Sequence, residues 1–368
     1  MARRIPAIIL GTRPEIIKLA PVAAELASRK LPFRLIHTGQ HYTYEMSQVF
    51  LEQLGLRRKI EFLSIGGGSQ ATQTARALVG LERLLKRERP SCLVVEGDTN
   101  TVLAGALSGC KLGIPVVHVE AGLRSYDLRM PEEYNRRITD HISTLLLAPT
   151  LDNEATLLAE QVPGDIFVTG NTVIDACLRN LPIAQRRSRI VRELCLAPGG
   201  YALATIHRAE NVDDKAVLAG LVSIFEGCPL PVLLPLHPRT VRRAREFGLW
   251  RRLSASRNIK MLKPVGYWDF LMLMKHCGFL LTDSGGIQEE ATAPNIMKKC
   301  FVLRTSTERQ EAVRAGFCEL VGVRPGPVLE AVTEWWEAGA RLKRKRSPFG
   351  DGRSARRIVS ILKRLGYS

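Results

Sequence analysis

The sequence predicts an α/β protein of two doubly wound, Rossmann-like domains facing a cleft. Three observations carry that expectation: short runs that are apolar throughout, longer segments with apolar residues at helical spacing, and a steady alternation of the two along 368 residues. Strands without polar alternation are buried on both faces, as in parallel sheets covered by helices. At about 150 residues per domain, the length suggests two of them.

The first series of strands reads PAIIL (6–10), FRLIHT (33–38), CLVVEGD (92–98), VVHVEAG (116–122), LLLAP (145–149) and IFVTG (166–170). After the first of these, Ile16, Leu19, Ala20, Ala23, Leu26 and Ala27 recur on one helical face. Pro14 suits the first helical position, where a missing N–H leaves no gap. Between about 171 and 200 the alternation pauses. TVIDACLRNL and SRIVRELCL read as helices there, and APGG (197–200) as a turn. The boundary is therefore expected near 171, with an N-terminal domain over 1–170 and a C-terminal domain over 171–352. The second series is YALATIH (201–207), VLLPLH (232–237), IKML (259–262), FLLTDSGG (279–286) and CFVLR (300–304).

A composition of 45% hydrophobic and 24% charged residues is that of a globular protein. Eight cysteines without a C-x-x-C pair read as reduced, buried thiols of a cytosolic protein. No signal peptide or membrane span fits the sequence, so secreted, membrane and disordered classes are excluded and a cytoplasmic location is expected. The charge is lopsided: 53 basic minus 36 acidic residues gives +17. Without aromatic residues interleaved as a base-stacking platform, this surplus points away from nucleic acid. It suits general surface chemistry and a site for a polyanionic small molecule. The densest run, RLKRKR (341–346), reads as a solvated helix end.

Doubly wound sheets bind ligands outside the carboxyl ends of their strands. Those ends carry GTRPEIIK (11–18), HTGQHYTYE (37–45), EGDTNT (96–101), HVEAGLRS (118–125), IHRAEN (206–211), LHPRT (236–240), TDSGGIQEE (282–290) and TERQEA (307–312). Ser284, Gly285 and Gly286 follow a strand and open a helix, so their backbone N–H groups can cradle a diphosphate. Glu289 and Glu290 follow one turn later, within reach of a ribose diol. There is no P-loop. Gly66–Gly68 opens a G-x-G-x-x-A match, but it lies off the first βα turn and equally suits a plain loop. His118 and Glu120 lack a third ligand at metal spacing, so no metal is expected.

In this order, GTRPEIIKLAPV, TGQHYTYE, GDTNTVLAGAL, HVEAGLRS, MPEEYNRRITDH, VTGNTVIDA, HRAEN, HPRT, LTDSGGIQEEA and TERQEAV resemble the non-hydrolysing UDP-N-acetylglucosamine 2-epimerases, most closely their archaeal branch. The likeness runs from about residue 5 to SPFGDGRSARRIVSIL. It implies a GT-B-like fold whose C-terminal helix (353–368) rejoins the first domain. It also implies a homodimer, a UDP-sugar substrate and no cofactor. Asp98, Glu120 and Glu132 match the family's catalytic carboxylates, and His207 its catalytic histidine. Arg13, Lys18, Phe270, Ser284, Gly285, Gly286, Glu290 and Arg309 match nucleotide-binding positions. Gln40 and His41 match a loop that meets a second, activating UDP-GlcNAc in bacterial members. One region departs from the family: TAPNIMKKCFVLRTSTERQEA is about two residues longer, with Thr305 and Gln310 in place of the usual Asp and Pro.

The implied reaction explains these residue types. The C2 proton of UDP-GlcNAc is not adjacent to a carbonyl and becomes acidic only as UDP leaves C1. Elimination to 2-acetamidoglucal and re-addition then need carboxylates near both faces of C2, with cations and amides around the departing anion. The alternatives are a hydrolysing epimerase and an epimerase of a modified UDP-sugar, whose family members tend to replace the HVEAGLR and GQH features intact here. More remote are a GT-B glycosyltransferase and a nucleotide-sugar sensor.

Overall fold

The computed structural model describes residues 4–40, 49–53, 60–339 and 341–368. The chain divides into two compact units, Met1–Arg179 with Phe349–Ser368, and Asn180–Pro348.

In the first unit, seven parallel strands are joined by helices. They are β1 (Ala7–Leu10), β2 (Arg34–His37), β3 (Ile60–Phe62), β4 (Leu93–Glu96), β5 (Val116–Val119), β6 (Leu145–Ala148) and β7 (Asp165–Val168). Their order is β3-β2-β1-β4-β5-β6-β7. The second unit has six, again parallel: β8 (Ala202–Thr205), β9 (Val232–Pro235), β10 (Ile259–Leu262), β11 (Phe279–Thr282), β12 (Cys300–Val302) and β13 (Cys318–Leu320), ordered β10-β9-β8-β11-β12-β13. Both sheets are doubly wound, as the apolar runs predict. The eleven expected runs all contain strands. β3 and β13 were not anticipated, because each is a three-residue edge strand, and half-buried edges carry no continuous apolar run.

The core of the first unit gathers Ile9, Ile36, Leu81, Leu85, Val95 and Val102. In the second, Phe279 and Phe301 meet edge-on at 5.6 Å, and Trp335 stacks edge-on against both. Local chemistry sets the helix ends. The helix Asn100–Leu112 is capped by Thr99, whose hydroxyl accepts the N–H of Val102, and stops at Gly113 in the left-handed region. The helix Gln70–Glu88 is capped likewise by Ser69. Arg76 donates to the carbonyls of Ile65 and Gly67, so the triple glycine is a capped turn.

The C-terminal helix Ser354–Arg364 belongs to the first unit. Its first N–H groups bond to the carboxylate of Asp175, and Arg29 reaches Ser360 at 3.0 Å. Two expectations change. RLKRKR is not a helix end: the preceding helix, Pro325–Glu337, closes at Gly339 (φ +61), and the basic run follows without regular structure. Lys345 within it lies over the Phe317 ring at 4.5 Å. All eight cysteines are free, but Cys110 and Cys195 are exposed, because each falls on a solvent-facing turn of its segment.

Candidate active site

Each sheet reverses its strand order once, between β1 and β4 in the first unit and between β8 and β11 in the second. Ligands of doubly wound sheets sit outside the carboxyl ends at such a point. In the first unit those ends carry GTRPE, EGDTNT and, on adjacent β5, HVEAG. In the second they carry IHRAEN and TDSGG.

After β1 the chain turns at Gly11 into the helix Arg13–Ser28. A Cβ at Gly11 would lie 2.3 Å from both Thr38 Oγ1 and Thr101 Oγ1, so only glycine fits. Gln40 joins this corner, its side-chain oxygen accepting from Thr101 N at 3.2 Å and Thr101 Oγ1 at 2.8 Å. His41 lies outside the described residues. The turn is tied by buried Glu15, which accepts from Gly11 N at 2.6 Å and from Thr12 and Thr99 hydroxyls at 2.7 Å each. Burial outweighs those donors and pushes its carboxyl from 4.5 up to about 7. Folded Glu15 thus holds a proton that the unfolded chain has lost, and this contribution, complete below pH 4.5, is gone once the pH passes about 7. Glu15→Gln should therefore flatten the fall in Tm across that window, which thermal unfolding at a series of pH values checks.

One turn into the same helix, Lys18 is buried. Its ammonium bonds to Glu120 and lies 3.3 Å from Glu96 Oε1. Asn171 donates to Glu120 Oε2 at 2.9 Å. Glu120 itself has φ +69, a left-handed backbone that costs a side-chain-bearing residue about 1–3 kcal/mol and concentrates at functional sites. The end of β5 is therefore bent so that this carboxylate meets Lys18. Asp98, half-buried just beyond β4, pairs with Arg136 at 2.5 Å, and its carbonyl accepts from Asn135 at 2.9 Å. Arg136 and Asn135 lie on the helix Pro131–Ile142, which also carries Glu132 in its first turn. Glu132 is half-buried and makes no hydrogen bond or ion pair among the described residues.

In the second unit, His207 follows β8. Its Nδ1 lies 3.2 Å from Asp283 Oδ1, and the N–H groups of His207 and Arg208 both donate to Asp283 Oδ2 at 2.9 Å. Burial alone would raise Asp283, but His207 and these donors reverse it and hold the carboxyl below its ordinary range. His237, from the end of β9, faces His207 with ring centroids 5.4 Å apart. Ser284 precedes the short helix Gly285–Glu290. Arg309 adjoins it: a Cβ on Gly285 would lie 3.2 Å from the Arg309 guanidinium carbon. That guanidinium pairs with Glu289 at 2.8 Å and Glu308 at 3.1 Å, and Glu308 also binds Arg304 at 2.8 Å. Glu290 and Phe270 are buried in the same unit.

The first unit thus brings Arg13, Lys18, Gln40, Asp98 and Glu120 to the carboxyl ends of β1, β2, β4 and β5, with Glu132 tied in through its helix. In the second, His207 and Ser284–Gly286 flank Asp283, Arg309 borders Gly285, and Glu290 ends the short helix. Sequence reasoning assigned no role to Glu96, Asn135, Arg136, Asn171 or Asp283. All five lie within or beside the quoted motifs, and only their contacts single them out. Among the described residues, no cluster of His, Cys, Asp and Glu could hold a metal ion, and no helix is long and apolar enough to cross a membrane.

Residues 24–363 match the family model described as UDP-N-acetylglucosamine 2-epimerase. The chain is 46% identical over 363 residues to the UDP-N-acetylglucosamine 2-epimerase of Methanocaldococcus jannaschii, covering 96% of this chain and 98% of that one. A crystal structure of a UDP-GlcNAc 2-epimerase from the same organism, in complex with UDP-GlcNAc and UDP, superposes with a TM-score of 0.91 at 45% identity, over 98% of this chain and 99% of the other. The UDP-2,3-diacetamido-2,3-dideoxy-D-glucuronate 2-epimerase of Pseudomonas aeruginosa is 36% identical over 97% of this chain and 99% of its own length.

Proposed function

Because the chain belongs to the UDP-N-acetylglucosamine 2-epimerase family, we propose that it interconverts UDP-GlcNAc and UDP-ManNAc by eliminating UDP and adding it back. The observation that carries this reading is the set of carboxylates at adjacent strand ends, Glu120 tied to Lys18 and Asp98 to Arg136, with Glu132 left without a bond among the described residues.

In the first half-reaction the C1–O bond breaks and its electron pair leaves with the β-phosphate of UDP. A carboxylate takes the C2 proton, and the C–H pair becomes the C1=C2 bond of 2-acetamidoglucal. In the second, a carboxylic acid returns a proton to the opposite face of C2 while a UDP oxygen bonds C1. Electrons and atoms balance within the sugar, so this route consumes no redox cofactor. Arg136 pairs with Asp98 and orients its carboxylate, which suits a base. Glu132, half-buried on the helix that carries Arg136, is the remaining carboxylate for the opposite face. His207, oriented by Asp283, stabilises the departing diphosphate together with the Ser284–Gly286 amides. Arg309, held by Glu289 and Glu308, borders those amides.

Incubation with UDP-GlcNAc in D₂O, followed by NMR, tests this reading. Both the manno product and the recovered gluco sugar should gain deuterium at C2, because the proton passes through side chains that exchange with solvent. Equilibration without deuterium at C2 would sink the elimination route. Accumulation of free ManNAc and UDP would make the enzyme a hydrolysing one. The likeness to the diacetamidoglucuronate enzyme favours one second reading, epimerisation of that modified UDP-sugar. It would be preferred if turnover with the uronate exceeded that with UDP-GlcNAc.

A further inference from the structure

His118 lies on β5, two residues before Glu120, and is fully buried. Both of its ring nitrogens are engaged. Nδ1 lies 2.7 Å from Asp140 Oδ1, and Nε2 lies 2.8 Å from the carbonyl oxygen of Gly97. A carboxylate and a carbonyl are both acceptors, and a neutral imidazole has one N–H to give. One of the two contacts would then set lone pair against lone pair in a dry interior. Asp140 is poorly placed to supply the missing proton. Its Oδ2 already takes Gly122 N–H at 3.2 Å and Arg124 Nη1 at 2.7 Å. Arg124 continues to Glu160 at 2.6 Å. With a charged ring, the cluster holds two cations and two carboxylates, the balance that buried charges require.

We propose that His118 is a doubly protonated positioning residue, whose Nε2–H pins the Gly97 carbonyl and so fixes the turn presenting Asp98. This rests on the epimerase reading above. Past Gly97 the turn is tied by Asn135 and Arg136 at Asp98 and by Thr99 at Glu15, and at Gly97 itself the ties are fewer. Gly97 sits at φ +85, no atom lies within 4 Å of where its Cβ would be, and its N–H reaches Val119 O only at 3.2 Å. Because Val95 pairs with His118 and Glu96 with Val119, one strand register carries His118, Glu120 and the Asp98 turn together. Asp140, from the helix that bears Glu132, orients the ring from behind. His118 thereby couples all three carboxylate positions without touching substrate.

The test has two readouts. The chain has seven histidines, so ¹⁵N-edited NMR of the free protein resolves few rings, and the His118 signal is the one lost in His118→Gln. At about pH 8, where an ordinary imidazole is neutral, both His118 nitrogens should carry protons. A neutral ring with one bare nitrogen would overturn the proposal. This measurement needs no turnover, so it stands or falls apart from the epimerase assignment. In kinetics, His118→Gln should lower kcat by about 10–100-fold with KM and UDP affinity held within about threefold, as expected for a displaced catalytic group. Unchanged kcat, or a loss confined to KM, would count against it. Should His118→Gln fail to fold, Asp140→Asn replaces it in both arms: it should remove the second ring proton and lower kcat in parallel. A retained kcat in that variant would overturn the proposal.

Discussion

Asp98→Asn should lower turnover by about 10²–10⁴-fold, the usual contribution of a positioned proton-transfer group, while UDP affinity stays near that of the parent. The amide keeps the shape of the side chain and still accepts from Arg136, which otherwise retains Glu133 at 3.2 Å. Only the basicity is lost. The half-buried position of Asp98 leaves room for the substitution without a cavity, so circular dichroism and thermal unfolding should change little. Steady-state rates with UDP-GlcNAc, together with calorimetric titration of UDP, separate the two effects. A variant that turned over near the parent rate would remove Asp98 from the chemistry. One that lost UDP binding as well would make it a ligand contact instead.

Lys18→Met should destabilise the protein by about 3–5 kcal/mol, because it removes a buried cation that two buried carboxylates share. Methionine matches the apolar stem of lysine and lacks only the terminal ammonium, so the loss is mainly electrostatic rather than one of packing. Glu96 and Glu120, each under a tenth exposed, would then face one another. One of them would take up a proton at neutral pH, as like charges in a shared site do. Turnover should fall with stability, since Glu120 would no longer be held as a carboxylate. Adding Glu96→Gln to Lys18→Met should recover part of the stability, and chemical denaturation of the two variants measures the difference. If the double variant gained nothing, the three residues would not form one network. If Lys18→Met instead kept its stability and lost only UDP affinity, Lys18 would be a ligand contact, the role the family resemblance implies for it.

Much of this protein is written in one dimension. Burial on both faces of a parallel sheet demands runs such as AIIL (7–10), LVVE (93–96) and FLLT (279–282), so the strands and their alternation with helices can be read from pattern alone. Because ligands meet such sheets at strand ends, the motifs after those runs mark the candidate site before any coordinate is known. Short edge strands escape that logic: Ile60–Phe62 and Cys318–Leu320 are partly exposed, and nothing in their residues forces a continuous apolar run.

What the tertiary structure alone decided is which charged residues hold which. Lys18 and Glu120 are 102 positions apart, Arg136 and Asp98 38, and His207 and Asp283 76. No local periodicity encodes those separations. They arise because parallel strands far apart in sequence lie side by side, so their carboxyl ends deliver side chains from distant segments to one edge. Burial there makes each pairing obligatory, since a charge withdrawn from water persists only beside its opposite. The sequence by itself determined the two doubly wound sheets and the motifs at their edges. The packing of helix Arg13–Ser28 and strands β4 and β5 determined that Glu120 answers to Lys18 and Asp98 to Arg136, because a contact between distant segments exists only once the chain has folded.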